Sequence, residues 1–563
     1  MARIQRQRWL AVAALLLFFF LALDSLIGDS PTMDEQNHVA RGLAYLRTGD
    51  PRLSVEHPPL INSLSALPLL TMPEISLPLD HASWQREPPD VYWYVFAEEL
   101  LWVANRDLDI QKILFLARLP VVFLTMMLAA LGWQVARRFW GGAAPVAALV
   151  LLLFDPNILA HGRYVTTDLG GTLFIFLATF LLWNLWMGQS QERGRRWLWA
   201  ALGLGLAFSS KLSALAFVPL WAIQAALPLY GAAEQGWRPA ARRMAELAAA
   251  GVAALLVVWA VFGFETGLYQ FLDPRLAYLN AINGPLPTFT AGIERILVLS
   301  GGGRPSFLLG EFSSSGFPLY FPIALLVKTP LLTVILLLVA AVLLLGRRET
   351  RDRALFLTIP VIGYLVISQF SALNIGYRHL LPILPFIYLL ISGLTAVVGK
   401  EQRPNWAGWL RLAPALLIVV LVIGAARIHP HYLSSFNLLA GGPTNGHRVL
   451  IDSNIDWGQD LLRLRAWLEE QEVDVAQLGW FGTADPDYYG LSYEPLPGGP
   501  RQPFWGQWTA PPFDVSAPAP GLYAISASSL WEYPLADKQV YSWFRAREPD
   551  HRIGYSILIY NVP

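Results

Sequence analysis

The chain has 563 residues, of which 55% are hydrophobic, 13% aromatic and only 15% charged. A soluble domain carries about a quarter of its residues as charges, so this composition, with a mean hydropathy of +0.42, points to lipid as the solvent. The 41 basic and 41 acidic residues cancel, which argues against a nucleic-acid partner, and the lack of cysteine excludes disulfides, thiolate metal sites and cysteine nucleophiles.

Arg3, Arg6 and Arg8 precede an apolar run from Trp9 to Leu23 that ends in Asp24 without a small-residue cleavage site. This is expected to be an uncleaved first span. Stretches able to cross a bilayer follow at about 113–136, 143–160, 168–188, 197–210, 211–230, 244–263, 322–345, 354–373, 379–398 and 409–427. The expected fold class is therefore a polytopic α-helical membrane protein with about eleven spans. The pair 197–210 and 211–230 is too short for two full spans.

Lysine and arginine set the expected orientation. With the N-terminus in the cytoplasm, the loops 1–8, 137–142, 189–196, 231–243, 346–353 and 399–408 lie on that side, and every one is basic. The short outer connections 155–167 and 374–378 carry one arginine each. This puts three large pieces outside: residues 28–112, residues 264–317 and a tail from 428 to 563. In the tail, Asp460 is followed by Leu461, Leu464 and Leu468 at helical spacing and then by the strand-like run Val475–Phe481. Eight prolines in 491–521 mark a long loop. The expectation is a membrane domain over 1–427 and a small extracytoplasmic α/β domain over 428–563, in a multi-pass protein of the cell (inner) membrane.

The chemistry-bearing residues fall in the outer connections. A helix is expected from Asp34 to Thr48, with Asp34, His38, Arg41 and Tyr45 on one face and Val39, Leu43 and Leu46 on another, the latter resting on the membrane domain. Thr32 and Glu35 have the spacing of a capping box, which favours a cap for Glu35 and leaves Asp34 as the stronger candidate acid. In Glu56-His57-Pro58-Pro59-Leu60 two prolines hold His57 extended. The loop Asp155 to Asp168 brings His161, Arg163 and an acid at a helix N-terminus, which is either an N-cap or part of an anion seat. Lys211 closes the short hairpin, as an interfacial residue or a phosphate ligand, and Gly376-Tyr377-Arg378-His379 opens a later span. Lys328-Thr329-Pro330 marks a water boundary in a stretch longer than a bilayer requires. The catalytic candidates are Asp34, Glu35, His57 and Asp168, and the phosphate-binding candidates are Lys211, Arg163, Arg378, His161 and His379. Acids, histidines and cations on one side suit displacement of a phosphate leaving group by a base-activated hydroxyl.

These residues carry a family resemblance. Asp34-Glu35 after the first span, the Thr48-Gly49-Asp50 turn and His57-Pro58-Pro59-Leu60 together resemble the protein O-mannosyltransferases, and also the lipid A aminoarabinose transferases and related bacterial enzymes of the GT-C superfamily. His161-Gly162-Arg163 through Asp168 is similar to that family's second outer loop, Lys211 to its lysine after the fourth span, and Tyr377-Arg378-His379-Leu380-Leu381-Pro382 to its later arginine-bearing span start. Asp452 to Asp460 is similar to a tail segment of uncharacterised bacterial members. The resemblance covers residues 9–460 or so and implies an inverting glycosyltransferase with Asp34 as general base. The implied donor is a polyprenyl-phosphate sugar, and the acceptor is a hydroxyl on a protein, lipid or glycan. His57 follows the mannosyltransferase form where the aminoarabinose enzymes carry lysine.

Three rivals share these features: a membrane transporter, a hydrolase or polymer ligase using the same cleft, and a scaffold displaying the tail. A transporter would show charges at the midplane of its spans and an internal repeat, and neither is evident. A divalent cation is left open as a cofactor. Asp452, Asn454, Asp456, Gly458 and Asp460 alternate like a calcium loop, but Trp457 and Arg463 stand where an EF-hand needs glycine and glutamate.

Overall fold

The computed structural model describes residues 2–85, 93–230, 236–302, 304–397, 406–497, 514, 516–531 and 537–563. Much of the proline-rich stretch and the basic residues Lys400 and Arg403 lie outside them. Six helices among the described residues are long and apolar enough to cross a membrane, or seven if one bent pair counts as a single span. Tyr377–Ala396 has 83% of its most apolar window buried, whereas Trp237–Val261 has 22% and Gln5–Ile27 has 28%. The first therefore runs through the centre of the bundle, and the other two keep most of their apolar surface for lipid.

Several expected spans are broken by local chemistry. The stretch expected at 322–345 is two helices, Tyr320–Lys328 and Leu331–Leu345, bent by 109°. The break falls at Thr329, which is extended as the residue before Pro330. Lys328 is buried there and spends its ammonium on the carbonyls of Leu433 (2.7 Å) and Asn454 (2.6 Å). The stretch at 143–160 stops at Phe154, because Asp155 caps a new short helix, Pro156–His161, by accepting from Asn157 N and Ile158 N. The stretch at 211–230, by contrast, holds as one of the six, Leu212–Leu229, with tighter turns on either side of the α-helix Val218–Ala225.

One end of the bundle gathers the basic connections. Gln7 Nε2 donates to Gly142 O (2.8 Å), Arg353 to Phe139 O (2.5 Å), and Arg193 pairs with Glu246. The opposite end carries the first outer piece, with helices Glu35–Thr48 and Pro59–Ala66, and the tail. Gly49 ends the first of these helices at φ +72°, its N–H bonded to Tyr45 O. Tyr45 itself turns away to donate to Val261 O (2.7 Å).

The tail holds a five-stranded mixed sheet. Tyr493–Pro495, Ala476–Gly479 and Gly521–Ser526 run parallel, and Ile557–Val562 and His551–Ile553 complete the sheet antiparallel. Its longest described helix is Leu461–Glu470. On one side this sheet shares a core with the first outer piece: Leu461, Leu464 and Trp480 pack in the same cluster as Val39, Leu43 and Phe96. The apolar stripe of Glu35–Thr48 therefore rests on the tail and the outer piece as well as on the helix Ile110–Phe139.

Candidate active site

A cavity of about 530 Å³ opens at the end of the bundle away from the basic connections. Asp34, His57, Asp168, Lys211, Arg378 and His379 all line it, although they come from five separate stretches of chain. Asp34 precedes the helix Glu35–Thr48 but makes no capping hydrogen bond, so its carboxylate is available to the cavity. Arg378 Nη1 donates to Asp34 Oδ2 at 2.6 Å and lies 3.7 Å from Asp168 Oδ2. The other oxygen of Asp168 takes the Lys211 ammonium. The result is a continuous row of alternating charge, Asp34, Arg378, Asp168 and Lys211, along one wall.

The two acids are not equivalent. Asp168 is 2% exposed and held by two cations, whereas Asp34 is 22% exposed and paired with one. Burial alone would raise the Asp34 pKa, but the positive field of Arg378, with a smaller part from Arg304, outweighs it and holds the carboxyl below its ordinary 3.8. It is ionised at neutral pH and open enough to meet a hydroxyl. Asp168 is better suited to locking Lys211 and Arg378 in place.

The histidines are neutral donors or acceptors rather than cations. Burial, reinforced by Arg41, pushes His38 down to about 4. His57 falls well below its ordinary value through burial and the nearby His38, Arg41 and Lys211. Their rings meet edge to face at 4.8 Å. His38 Nδ1 bonds Asn62 Oδ1 at 2.9 Å, and His57 Nδ1 bonds the Thr167 hydroxyl at 3.2 Å.

Three candidates lie elsewhere. Glu35 is fully buried and does not line this cavity. Its carboxylate accepts from Thr32 N (2.9 Å), the half of the capping box the spacing predicts. It also accepts from Arg118 Nε (2.8 Å) and Nη2 (2.7 Å), and from Val165 N (2.9 Å). It ties three segments together and is not available as an acid. Arg163 is 1% exposed and committed to Asp29, with Nη2 donating to Tyr164 OH (2.9 Å). His161 is buried edge-to-face against Trp457, at 5.8 Å.

The cavity also contains Tyr94 and Arg304, which the sequence reading passed over, and Glu56. Glu56 accepts from Arg295 Nε at 2.8 Å and lies 3.9 Å from Arg41. The only trace of Arg304 in the sequence is its place after Gly301-Gly302-Gly303, where a helix must end. The remaining wall is apolar, built from Leu212, Leu215, Ile293, Ile296, Phe321 and Ile367. Among the described residues no three of His, Cys, Asp and Glu cluster closely enough to hold a metal ion. The carboxylates of the calcium-like run go to separate partners, Asp456 to Ser528 N and Asp460 to Arg463 and Ser556.

Residues 102–262 match the family model described as dolichyl-phosphate-mannose-protein mannosyltransferase. The matched segment supplies Asp168 and Lys211, while Asp34, His57 and Arg378 join them from outside it. No curated protein sequence matches the chain. Among solved structures the chain is similar to ArnT from Cupriavidus metallidurans in the apo state, with 13% identity, 97% of both chains covered and a TM-score of 0.48. For the same protein bound to undecaprenyl phosphate the values are 14%, 97% of both chains and 0.49. The archaeal oligosaccharyltransferase AglB from Archaeoglobus fulgidus, in complex with an inhibitory peptide and a dolichol-phosphate, is 11% identical over 75% of this chain and 56% of its own, with a TM-score of 0.44.

Proposed function

We propose that this protein transfers a sugar from a polyprenyl-phosphate carrier to an acceptor hydroxyl at the outer face of the cell membrane. One observation carries this reading: a row of paired charges, Asp34, Arg378, Asp168 and Lys211, faces an apolar wall inside a single cavity. A lipid-linked phosphate needs both surfaces, cations for the head and apolar side chains where the tail begins. Asp34 takes the proton from the acceptor hydroxyl, whose oxygen attacks the anomeric carbon. The bond from that carbon to the phosphate oxygen breaks, and attack opposite the leaving group inverts the anomeric configuration. Lys211 and Arg378 receive the growing charge on the departing phosphate.

Arg163 leaves the phosphate-binding set, because releasing it would strand the buried carboxylate of Asp29. Lys211→Ala and Arg378→Ala should each weaken binding of undecaprenyl phosphate by about tenfold or more. Arg378→Lys should also weaken it, since the charge stays but the planar fork that spans Asp34 and the phosphate is lost. Wild-type affinity in both alanine variants would refute the phosphate assignment.

The topology follows the arginine pattern: N-terminus in the cytoplasm, residues 28–112, 264–317 and the tail outside. The basic connections gather at one end of the bundle and the cavity lies at the other. A reporter fused after Pro563 should be active only as an extracytoplasmic reporter. Activity solely in the cytoplasm would move the cavity to the wrong side for an outer-face transfer.

A further inference from the structure

Resting on that reading, we infer that the tail segment Asp452 to Asp460 is part of the active site, with Trp457 the positioning residue that orients Arg378 for the carrier phosphate. The Arg378 guanidinium lies over the Trp457 ring, 4.5 Å from its centroid. Trp457 is 1% exposed and is braced by edge-to-face contacts with His161 (5.8 Å) and Tyr164 (6.2 Å). A guanidinium stacked on an indole keeps its plane, so its N–H groups stay in one orientation. This gives His161, a failed phosphate candidate, a place in the site at one remove.

The same nine residues also hold the backbone on both sides of the charge row. Asn454 Oδ1 accepts from Tyr377 N (2.9 Å) and Ser453 Oγ donates to Ile375 O (2.7 Å), which fixes the turn that delivers Arg378. The approach is so close that a Cβ on Gly376 would stand 2.1 Å from Ser453 Oγ. On the other side, Trp457 O accepts from Met33 N (2.8 Å) and Gln459 O from Ser30 N (3.0 Å), which fixes the residues leading into Asp34. Gly458 turns between these contacts at φ +87°. One short segment thus sets the separation between the acid and the arginine. The tail is more than a module appended for acceptor recruitment, because the spacing of Asp34 and Arg378 depends on it.

The test is a double-mutant cycle on full-length protein in detergent micelles, with undecaprenyl phosphate as the probe. Trp457→Leu should weaken binding roughly tenfold in the otherwise wild-type chain and leave it unchanged in an Arg378→Ala background. An equal loss in both backgrounds would show a general packing defect and overturn the inference. No loss in the wild-type background, with Arg378→Ala binding weakly, would overturn it while leaving the proposed function intact. Wild-type binding by Arg378→Ala would instead strike at the proposed function itself. Should the leucine variant fail to fold, Trp457→Phe preserves most of the volume and an aromatic face. It should then cost two- to fivefold, again only when Arg378 is present.

Discussion

Asp34→Asn should insert, fold and bind the carrier, yet transfer sugar at least about a hundredfold more slowly, because asparagine keeps the shape and cannot accept the proton. The structure makes this substitution clean. Asp34 caps nothing, so the loss of charge should not unravel the helix Glu35–Thr48 behind it. Its pKa sits below the ordinary 3.8 because Arg378 and its cationic neighbours outweigh the effect of burial. A base works deprotonated, so transfer should stay level from neutral pH down to mild acid and fall only as the pH approaches that lowered pKa. Removing the positive neighbour with Arg378→Ala should raise the pKa and move this acid limb to higher pH. The measurement is single-turnover transfer against pH in both variants. Near wild-type transfer by Asp34→Asn would place the base elsewhere, with Asp168 next in line despite its two cations.

Glu35→Gln should lower stability by about 3–5 kcal/mol, the usual cost of stripping one partner from a buried ion pair. The capping-box spacing alone would make this exchange harmless, since glutamine also completes such a box. The difference is Arg118, which is 1% exposed and would be left as a buried cation on the carbonyls of Leu26, Asp29 and Ser30, in the field of an Asp29 carboxylate already paired with Arg163 and Arg463. Val165 N, which now bonds Glu35 Oε1, would face an amide in place of a carboxylate. Thermal unfolding in detergent should show a depressed midpoint, and Glu35→Gln combined with Arg118→Gln should recover part of it. A loss below about 1 kcal/mol would mean that Arg118 finds another anion. The contrast between neighbours is itself diagnostic: Asp34→Asn should spare stability and abolish transfer, whereas Glu35→Gln should act first on stability.

Composition and charge pattern by themselves determined that this chain lives in lipid, which connections are basic, and that acids, histidines and cations crowd the other connections. These are consequences of solvent preference and helix period, and both are written locally. The helix from Asp34 to Thr48 and its glycine stop were legible for the same reason: caps and Gly act on their immediate neighbours. Lys328-Thr329-Pro330, expected as a water boundary, is instead a bend between two helices with Lys328 buried, because the carbonyls that take its ammonium come from distant parts of the chain. The tertiary structure decided which of those residues share a cavity. Asp34, His57, Asp168, Lys211, Arg378 and His379 come together there, while Glu35, Arg163 and His161 do not. Nothing local separates Arg163 from Arg378. Each lies within two residues of a glycine in a short connection, yet one meets the buried Asp29 and the other meets Asp34. Whether a cation is spent on structure or left facing a cleft depends on which distant carboxylate packing brings against it. That information resides in contacts such as Trp457 on Arg378, made by residues far apart in the chain.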